Sequence, residues 1–304
     1  MAYLLRSMLF VPAYNEKFIK KAIECDTDAI IFDMEDGVPK EKRKEARIIL
    51  KKYLDRGVFR GRQIVLRVNP LQTDDLPEDL KLISDDQIMG IITPKISDAG
   101  NIKAFEALMD FVEHREGLKS GSLKLLPLIE KAQAVINIDS IASASKRNIA
   151  LLFGGEDYLD SVSGKNDCPR HLFDMPRTMI VMAARTHGLL PIDTPFLDLK
   201  NEQAFVAEES QSCAMGFHGC LIVNPIQLPW CKRVFSPSVE EIAHAKDIIE
   251  TVERIQIQGA NETVINGKMV GPPMYKRALK VMELEKLIKE YETIQTQRRE
   301  RKSI

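Results

Sequence analysis

Ala29-Ile30-Ile31-Phe32-Asp33-Met34-Glu35-Asp36-Gly37 is the stretch on which the reading of the fold turns. Ala29 to Phe32 are apolar without alternation, as in a strand covered on both faces, which is the rule in parallel sheets flanked by helices. Asp33, Glu35 and Asp36 then gather at the carboxyl end of the run. A strand built that way suits a barrel whose reactive groups stand on the loops that follow its strands.

Working outward, similar apolar runs recur at Met8 to Val11, Ile64 to Val68, Gly90 to Thr93, Leu123 to Ile129, Ile149 to Phe153 and Cys220 to Val223, with a weak one near Pro191 to Phe196. Between them lie helix-like stretches: Lys40 to Leu54, Ile102 to Arg115, Ala132 to Ser145, Pro176 to His187 and Glu202 to Met215. Strands alternating with helices imply parallel βαβ units. Roughly eight such units before residue 230 predict an α/β closed (β/α)₈ barrel rather than an open sheet. The barrel domain is assigned to residues 1–232 and a C-terminal helical lid segment to 233–304.

The lid segment begins with Ser236-Pro237-Ser238-Val239-Glu240-Glu241, a helix start with Ser followed by Glu in the first turn. One helix is expected to run to about Gln256, then a hairpin turn around Asn266-Gly267, then a second helix from Pro273 to about Tyr291. The closing Gln297-Arg298-Arg299-Glu300-Arg301-Lys302 run reads as a frayed, solvated tail rather than a binding patch.

Composition narrows the function classes. With 304 residues, 44% hydrophobic and 29% charged, the chain can bury a large core. Its 43 Lys and Arg against 44 Asp and Glu leave a net charge of -1, so no global field recruits nucleic acid or an anionic membrane. The cysteines at 25, 168, 213, 220 and 231 form no C-x-x-C pair, and their odd number fits reduced thiols. Met8 to Val11 is too short for a signal peptide and no run reaches bilayer length. These features predict a cytoplasmic protein that meets neither nucleic acid nor membrane.

Polar residues cluster at the carboxyl ends of these runs: Asp33 to Gly37, Arg67-Val68-Asn69-Pro70, Thr93-Pro94-Lys95, Glu130, Gly154-Gly155-Glu156-Asp157 and Asn224-Pro225-Ile226-Gln227. Glu130 and Asp157 come after adjacent strands, about 5 Å apart, and can share one hard cation while leaving room for water and substrate oxygens, as Mg²⁺ prefers. Each acid alone also suits a helix N-terminus, where the dipole favours a carboxylate. His114, His171, His187, His218 and His244 show no zinc-like spacing. Arg67 offers a planar fork for a carboxylate, or an ion pair with Asp33, Glu35 or Asp36. Lys95 suits holding the same acids or touching substrate. Gly154-Gly155 gives the backbone room to approach a ligand. Nucleophile elbow, phosphate loop and dinucleotide fingerprint are all missing from the sequence. A metal, an Arg and several carboxylates then point to a small di- or tricarboxylate or keto acid.

These motifs, together with Arg6-Ser7-Met8-Leu9-Phe10-Val11-Pro12, Leu128-Ile129-Glu130, Phe235-Ser236-Pro237-Ser238 and Asn266-Gly267-Lys268-Met269-Val270, resemble in order the citrate lyase β-subunit-like branch of the HpcH/HpaI aldolase/citrate lyase superfamily. The resemblance runs from residue 6 to about residue 285. It implies a TIM barrel in a homotrimer or hexamer, with the C-terminal segment over a neighbour's mouth. It implies Mg²⁺, or Mn²⁺ in its stead, on Glu130 and Asp157, with Arg67, Glu35 and Asp36 as catalytic residues. A thioester carrier, coenzyme A or an acyl carrier protein of a citrate lyase complex, would lie near Phe10, Pro12 and Lys17, Lys20 or Lys21. The implied reaction splits a citryl-, citramalyl- or malyl-thioester into an acetyl thioester and a keto acid.

The sequence departs from that pattern in three places. Gly271 stands where related enzymes carry an Asp thought to exchange the enolate proton in an adjacent subunit. Ala13 replaces a usual Gly, and Asn224-Pro225 a commoner His-Pro. Two other readings therefore stand beside an active lyase: a paralogue that binds metal and keto acid or thioester without cleavage, and an enzyme of malate synthase or thioesterase type.

Overall fold

The computed structural model describes residues 3–84, 86–165, 169–257, 263–265 and 268–302. Eight strands form one closed barrel in sequence order. They are β1 Ser7–Pro12, β2 Ala29–Asp33, β3 Gln63–Arg67, β4 Ile88–Thr93, β5 Lys124–Ile129, β6 Ala150–Phe153, β7 Leu190–Asp193 and β8 Gly219–Ile222. All neighbouring pairs are parallel, and β8 returns to β1 through Met8↔Leu221 and Leu9↔Ile222. The eight-unit barrel expected from the sequence is the one observed.

Around the barrel run α1 Glu16–Glu24, α2 Arg43–Asp55, α3 Asp75–Leu80, α4 Ala99–Glu116, α5 Ala132–Ile136 and α6 Ile138–Ser143. They continue with α7 Gly155–Ser161, α8 Pro169–Thr186, α9 Glu202–Met215 and α10 Leu228–Val234. β2 is buried at every position, Asp33 included, as expected of a strand sandwiched between barrel interior and helices. The seam between β8 and β1 is tight: a Cβ on Gly219 would lie 2.2 Å from the Leu5 carbonyl oxygen. Only glycine allows the backbones to meet there. Arg6, just before β1, is 2% exposed and pairs through Nε and Nη2, each at 2.9 Å, with the carboxylate of Asp28, just before β2. That buried pair lies at the amino ends of the strands, so Arg6 is structural, away from the mouth where the reactive loops gather.

Two helices differ from the sequence reading. Ala132 to Ser145 is broken into α5 and α6 at Asn137, whose side chain donates to the Ser97 carbonyl at 2.9 Å and whose backbone leaves helical geometry. α8 begins at Pro169 and carries Pro176 inside it rather than at its start.

Contacts divide the chain into two compact units, Leu5–Arg233 and Val234–Ile304 with Met1–Leu4. The second unit contains α11 Val239–Ile257, β9 Thr263–Ile265, β10 Lys268–Val270 and α12 Pro272–Lys302. α11 starts with a reciprocal cap: Ser238 Oγ accepts from the Glu241 amide at 3.1 Å, and Glu241 Oε2 from the Ser238 amide at 2.8 Å. β9 and β10 pair antiparallel, whereas the Asn266-Gly267 turn itself lies outside the described residues. α12 continues through the segment read as a frayed tail; Gln, Arg, Glu and Lys are all good helix formers, so nothing in that run stops it. A small core of Ala245, Ile248, Val252, Val270 and Ala278 binds these elements. Among the described residues Cys25, Cys213, Cys220 and Cys231 form no disulfide, and Cys168 lies outside those residues. Among the described residues no helix is long and apolar enough to cross a membrane.

Candidate active site

The β2–β3 register places Asp33 beside Arg67. Asp33 is a hub: its carboxylate accepts the Glu35 amide at 3.0 Å, the Gly37 amide at 2.9 Å, and Arg67 Nε and Nη2 at 2.7 and 2.6 Å. The bidentate pair fixes the guanidinium plane. Arg67 also lies over the Phe10 ring, 4.8 Å from its centroid. Burial disfavours its charge, but Asp33, Glu35 and Glu130 outweigh burial and raise its pKa. Arg67 therefore stays a fixed cation at the barrel mouth.

Glu35 is 1% exposed, and among the described residues neither carboxylate oxygen has a hydrogen-bond partner. Arg67 Nη1 stands 3.3 Å from Oε2 as an ion pair only. Burial drives the Glu35 carboxyl up to about 8 against the pull of Arg67, with Glu130 and Asp36 adding to the rise. Glu130, just past β5, is equally buried. Its Oε1 accepts the Lys95 amide at 2.5 Å, and its Oε2 has no hydrogen-bond partner among the described residues. Burial lifts Glu130 to about 7, opposed first by the charge of Lys95.

Asp157 stands in the first turn of α7 after the Gly154-Gly155 turn. A Cβ on Gly154 would lie 2.7 Å from Glu130 Cβ and 3.0 Å from its Oε2. The glycine is there because the turn rides directly on the Glu130 side chain. Lys95 joins the acids: its Nζ is 2.6 Å from Asp157, 3.2 Å from Asp36 and 3.8 Å from Glu130. Its φ is 52°, in the left-handed region, which costs a non-glycine residue on the order of 1–3 kcal/mol. Lys131 Nζ donates to its carbonyl at 2.8 Å.

A model of the HpcH/HpaI aldolase/citrate lyase family matches residues 6–225. The chain belongs to this family. Within it the chain falls in the citrate lyase β-subunit-like branch. It is 31% identical to the citrate lyase subunit beta of Haemophilus influenzae over 281 residues, covering 92% of this chain and 97% of that protein. It is also 31% identical to a (3S)-malyl-CoA thioesterase of Cereibacter sphaeroides over 269 residues, 88% and 90% of the two chains. The structure of CitE from Mycobacterium tuberculosis in complex with magnesium, acetoacetate and coenzyme A superposes with a TM-score of 0.72 at 24% identity, covering 91% of this chain and 97% of that one.

In this member of the family, the residues read from the sequence as catalytic or metal-binding come together in part. Arg67 meets Asp33 and Glu35, while Lys95 gathers Asp36, Glu130 and Asp157. Among the described residues no group of three or more His, Cys, Asp or Glu is placed to hold a metal ion. Mg²⁺ is commonly held by one or two carboxylates and several waters, and the buried Glu130 Oε2 has no hydrogen-bond partner among the described residues. The donor set fits the ion.

Phe10 and Pro12 line a groove of about 200 Å³ with Leu9, Phe18, Lys21 and Asn224. Lys17 is not among its lining residues: it is exposed, and its amide donates to the Asn15 cap of α1. The basic residue on the groove is Lys21. Asn224 turns its Oδ1 to the Ile226 amide at 3.1 Å, so its place in the motif is accounted for by local capping. The sequence offers Asp33 as one of three acids able to pair with Arg67, and the structure makes it the organiser of that side. The signal was available: an acid at the last position of a buried strand has to find a partner.

Proposed function

We propose that this chain is a Mg²⁺-dependent carbon–carbon lyase that splits a 3-hydroxy-acid thioester, of the citryl, citramalyl or malyl type, into an acetyl thioester and a keto acid. The observation that carries the proposal is one barrel mouth where the clamped Arg67 cation faces buried carboxylates, Glu35 and Glu130, that have bare oxygens. Support also comes from the names of the relatives and from the magnesium, acetoacetate and coenzyme A bound by CitE.

Glu130 and Asp157 would hold the ion, which when bound supplies polarisation of the substrate oxygens. Arg67 orients a carboxylate or keto oxygen and stabilises negative charge as it develops there. Glu35 or Asp36 takes the hydroxyl proton. Burial brings Glu35 to about 8, a range that suits proton exchange near neutral pH. The O–H electron pair becomes the keto π bond, and the broken C–C pair is left on the acetyl thioester as an enolate awaiting a proton. The carrier, coenzyme A or an acyl carrier protein, would enter along the Phe10–Pro12 groove, with Lys21 as its cation in place of Lys17. We further propose the trimer or hexamer of the resemblance, in a cytoplasmic setting.

Purified protein with Mg²⁺ and citryl-, citramalyl- or malyl-CoA should release acetyl-CoA, and Glu130→Ala should abolish the release. Cleavage that survives Glu130→Ala would refute the assignment. Gly271 favours a second reading, binding without cleavage. Its carbonyl accepts the Met274 and Tyr275 amides at 3.0 and 3.2 Å, so this residue is the start of α12 and offers no acid. Gly271→Asp keeps a favourable helix-start residue. A large gain in turnover marks a weakened lyase. No change places the proton donor elsewhere.

A further inference from the structure

Resting on the metal reading above, we propose that Lys95 is a resident cation that competes with the divalent ion for Glu130 and Asp157. Asp36 keeps its ammonium close when it is displaced. Lys95 Nζ lies within 4 Å of Asp36, Glu130 and Asp157, closest to Asp157 at 2.6 Å. An ammonium has three donors and coordinates no metal, so every carboxylate oxygen it occupies is one a divalent ion must take from it. Asp157 Oδ1, the atom it holds most tightly, belongs to a proposed ligand.

The backbone around Lys95 is built for this placement. With φ at 52°, the residue presents both its amide and its ammonium to Glu130, at 2.5 and 3.8 Å. Lys131 fixes the same peptide through the Lys95 carbonyl at 2.8 Å. The amide contact does not depend on the side chain, so Glu130 stays anchored when the ammonium moves away. Asp36 is more than half exposed, at 55%, and has the freedom to follow the ammonium. The four-carbon stem of lysine supplies the reach. Displacing Lys95 moves a partly exposed ammonium from Asp157 toward Asp36.

The prediction opposes that of a merely structural lysine. If Lys95 only held the acids in position, removing its charge would splay them and weaken metal binding. If it competes, removing it strengthens binding. Titration with Mn²⁺, followed by calorimetry and by the paramagnetic signal of free ion, should show Lys95→Met binding about tenfold or more tighter than the unaltered protein. Lys95→Arg, which keeps the charge, should stay near the unaltered affinity. Equal or weaker binding by Lys95→Met, with an unchanged melting temperature, overturns the proposal while leaving the metal reading intact. Absence of Mn²⁺ uptake by both proteins removes the metal reading as well. A measurement on the unaltered protein avoids any question of folding. Acetic anhydride labelling of Lys95, read by mass spectrometry, should rise several-fold at saturating Mg²⁺. Labelling unaffected by an ion that binds overturns the proposal.

Discussion

Glu130 has one carboxylate oxygen bonded and one bare, and the Gly154 backbone packs against its Cβ. At this spacing even a methyl group has to displace the glutamate. Gly154→Ala should therefore cost roughly 1–3 kcal/mol of stability, the usual penalty of overpacking. It should also lower lyase turnover, because the shifted side chain is the proposed ligand. Urea unfolding and acetyl-CoA release check the two effects; a variant as stable and active as the parent would mean the turn yields without moving Glu130. At this scale the sequence was informative about identity and poor about contact. Glu35, Arg67, Glu130 and Asp157 were legible because each stands at or just past the end of a strand that could be read from its apolar run. The left-handed backbone of Lys95 was not legible, since nothing near Thr93-Pro94-Lys95 announces a positive φ outside glycine. Nor was the choice of partner: Arg67 had three acids within reach in the sequence, and the β2–β3 register selected Asp33.

Between elements, the outer wall of the barrel is tied by polar links that the apolar pattern does not reveal. Glu113 of α4 is 2% exposed and accepts the Gly121 and Leu123 amides at 2.9 and 2.7 Å and Arg147 Nη1 at 2.7 Å. It joins α4 to the turns leading into β5 and β6. Burial alone would raise its pKa, but Arg147 and the two amides hold it down at about 2. A depressed carboxyl stabilises the fold fully above its ordinary value of 4.5, and that contribution is lost as the pH falls from there to about 2. Glu113→Gln should cost on the order of 3 kcal/mol at neutral pH, since it leaves Arg147 buried against fewer charges. The gap to the parent should close in acid. Urea midpoints between pH 7 and 2.5 measure it, and a gap that stays constant across that range would deny the linkage. The same scale explains where helices were misread. Asn137 breaks a periodic apolar stretch because its amide finds the Ser97 carbonyl, a tertiary contact. Pro176, read as a helix start, is the eighth residue of α8, where a proline withholds an amide from the helix ladder. Most strands were legible because burial on both faces leaves an apolar run that needs no partner to be recognised, whereas β7, with Pro191 and Asp193 among its four residues, showed only as a weak run near Pro191 to Phe196.

For the molecule as a whole, the division at Arg233 separates two units of very different means. The barrel unit buries all eight strands, with Leu9, Ile31, Phe32, Leu66, Ile92, Leu126, Phe153 and Leu221 among its nearly fully covered side chains. Closure leaves it no exposed strand edge. The C-terminal unit is held by Ala245, Ile248, Val252, Val270 and Ala278, with the partly buried Ile249, Met274, Tyr275, Val281 and Met282 packed against them. A segment of about 70 residues with one core of this size rarely supplies more than about 3–5 kcal/mol, less than the ordering of its chain demands. The barrel should therefore be the autonomous partner. A chain ended after Arg233 should retain the far-ultraviolet signal of an α/β protein and unfold in urea in one cooperative step, whereas residues 234–304 alone should show no cooperative step. The opposite outcome, a barrel that loses its transition when the C-terminal segment is removed, would mean that the eight strands do not carry their own stability.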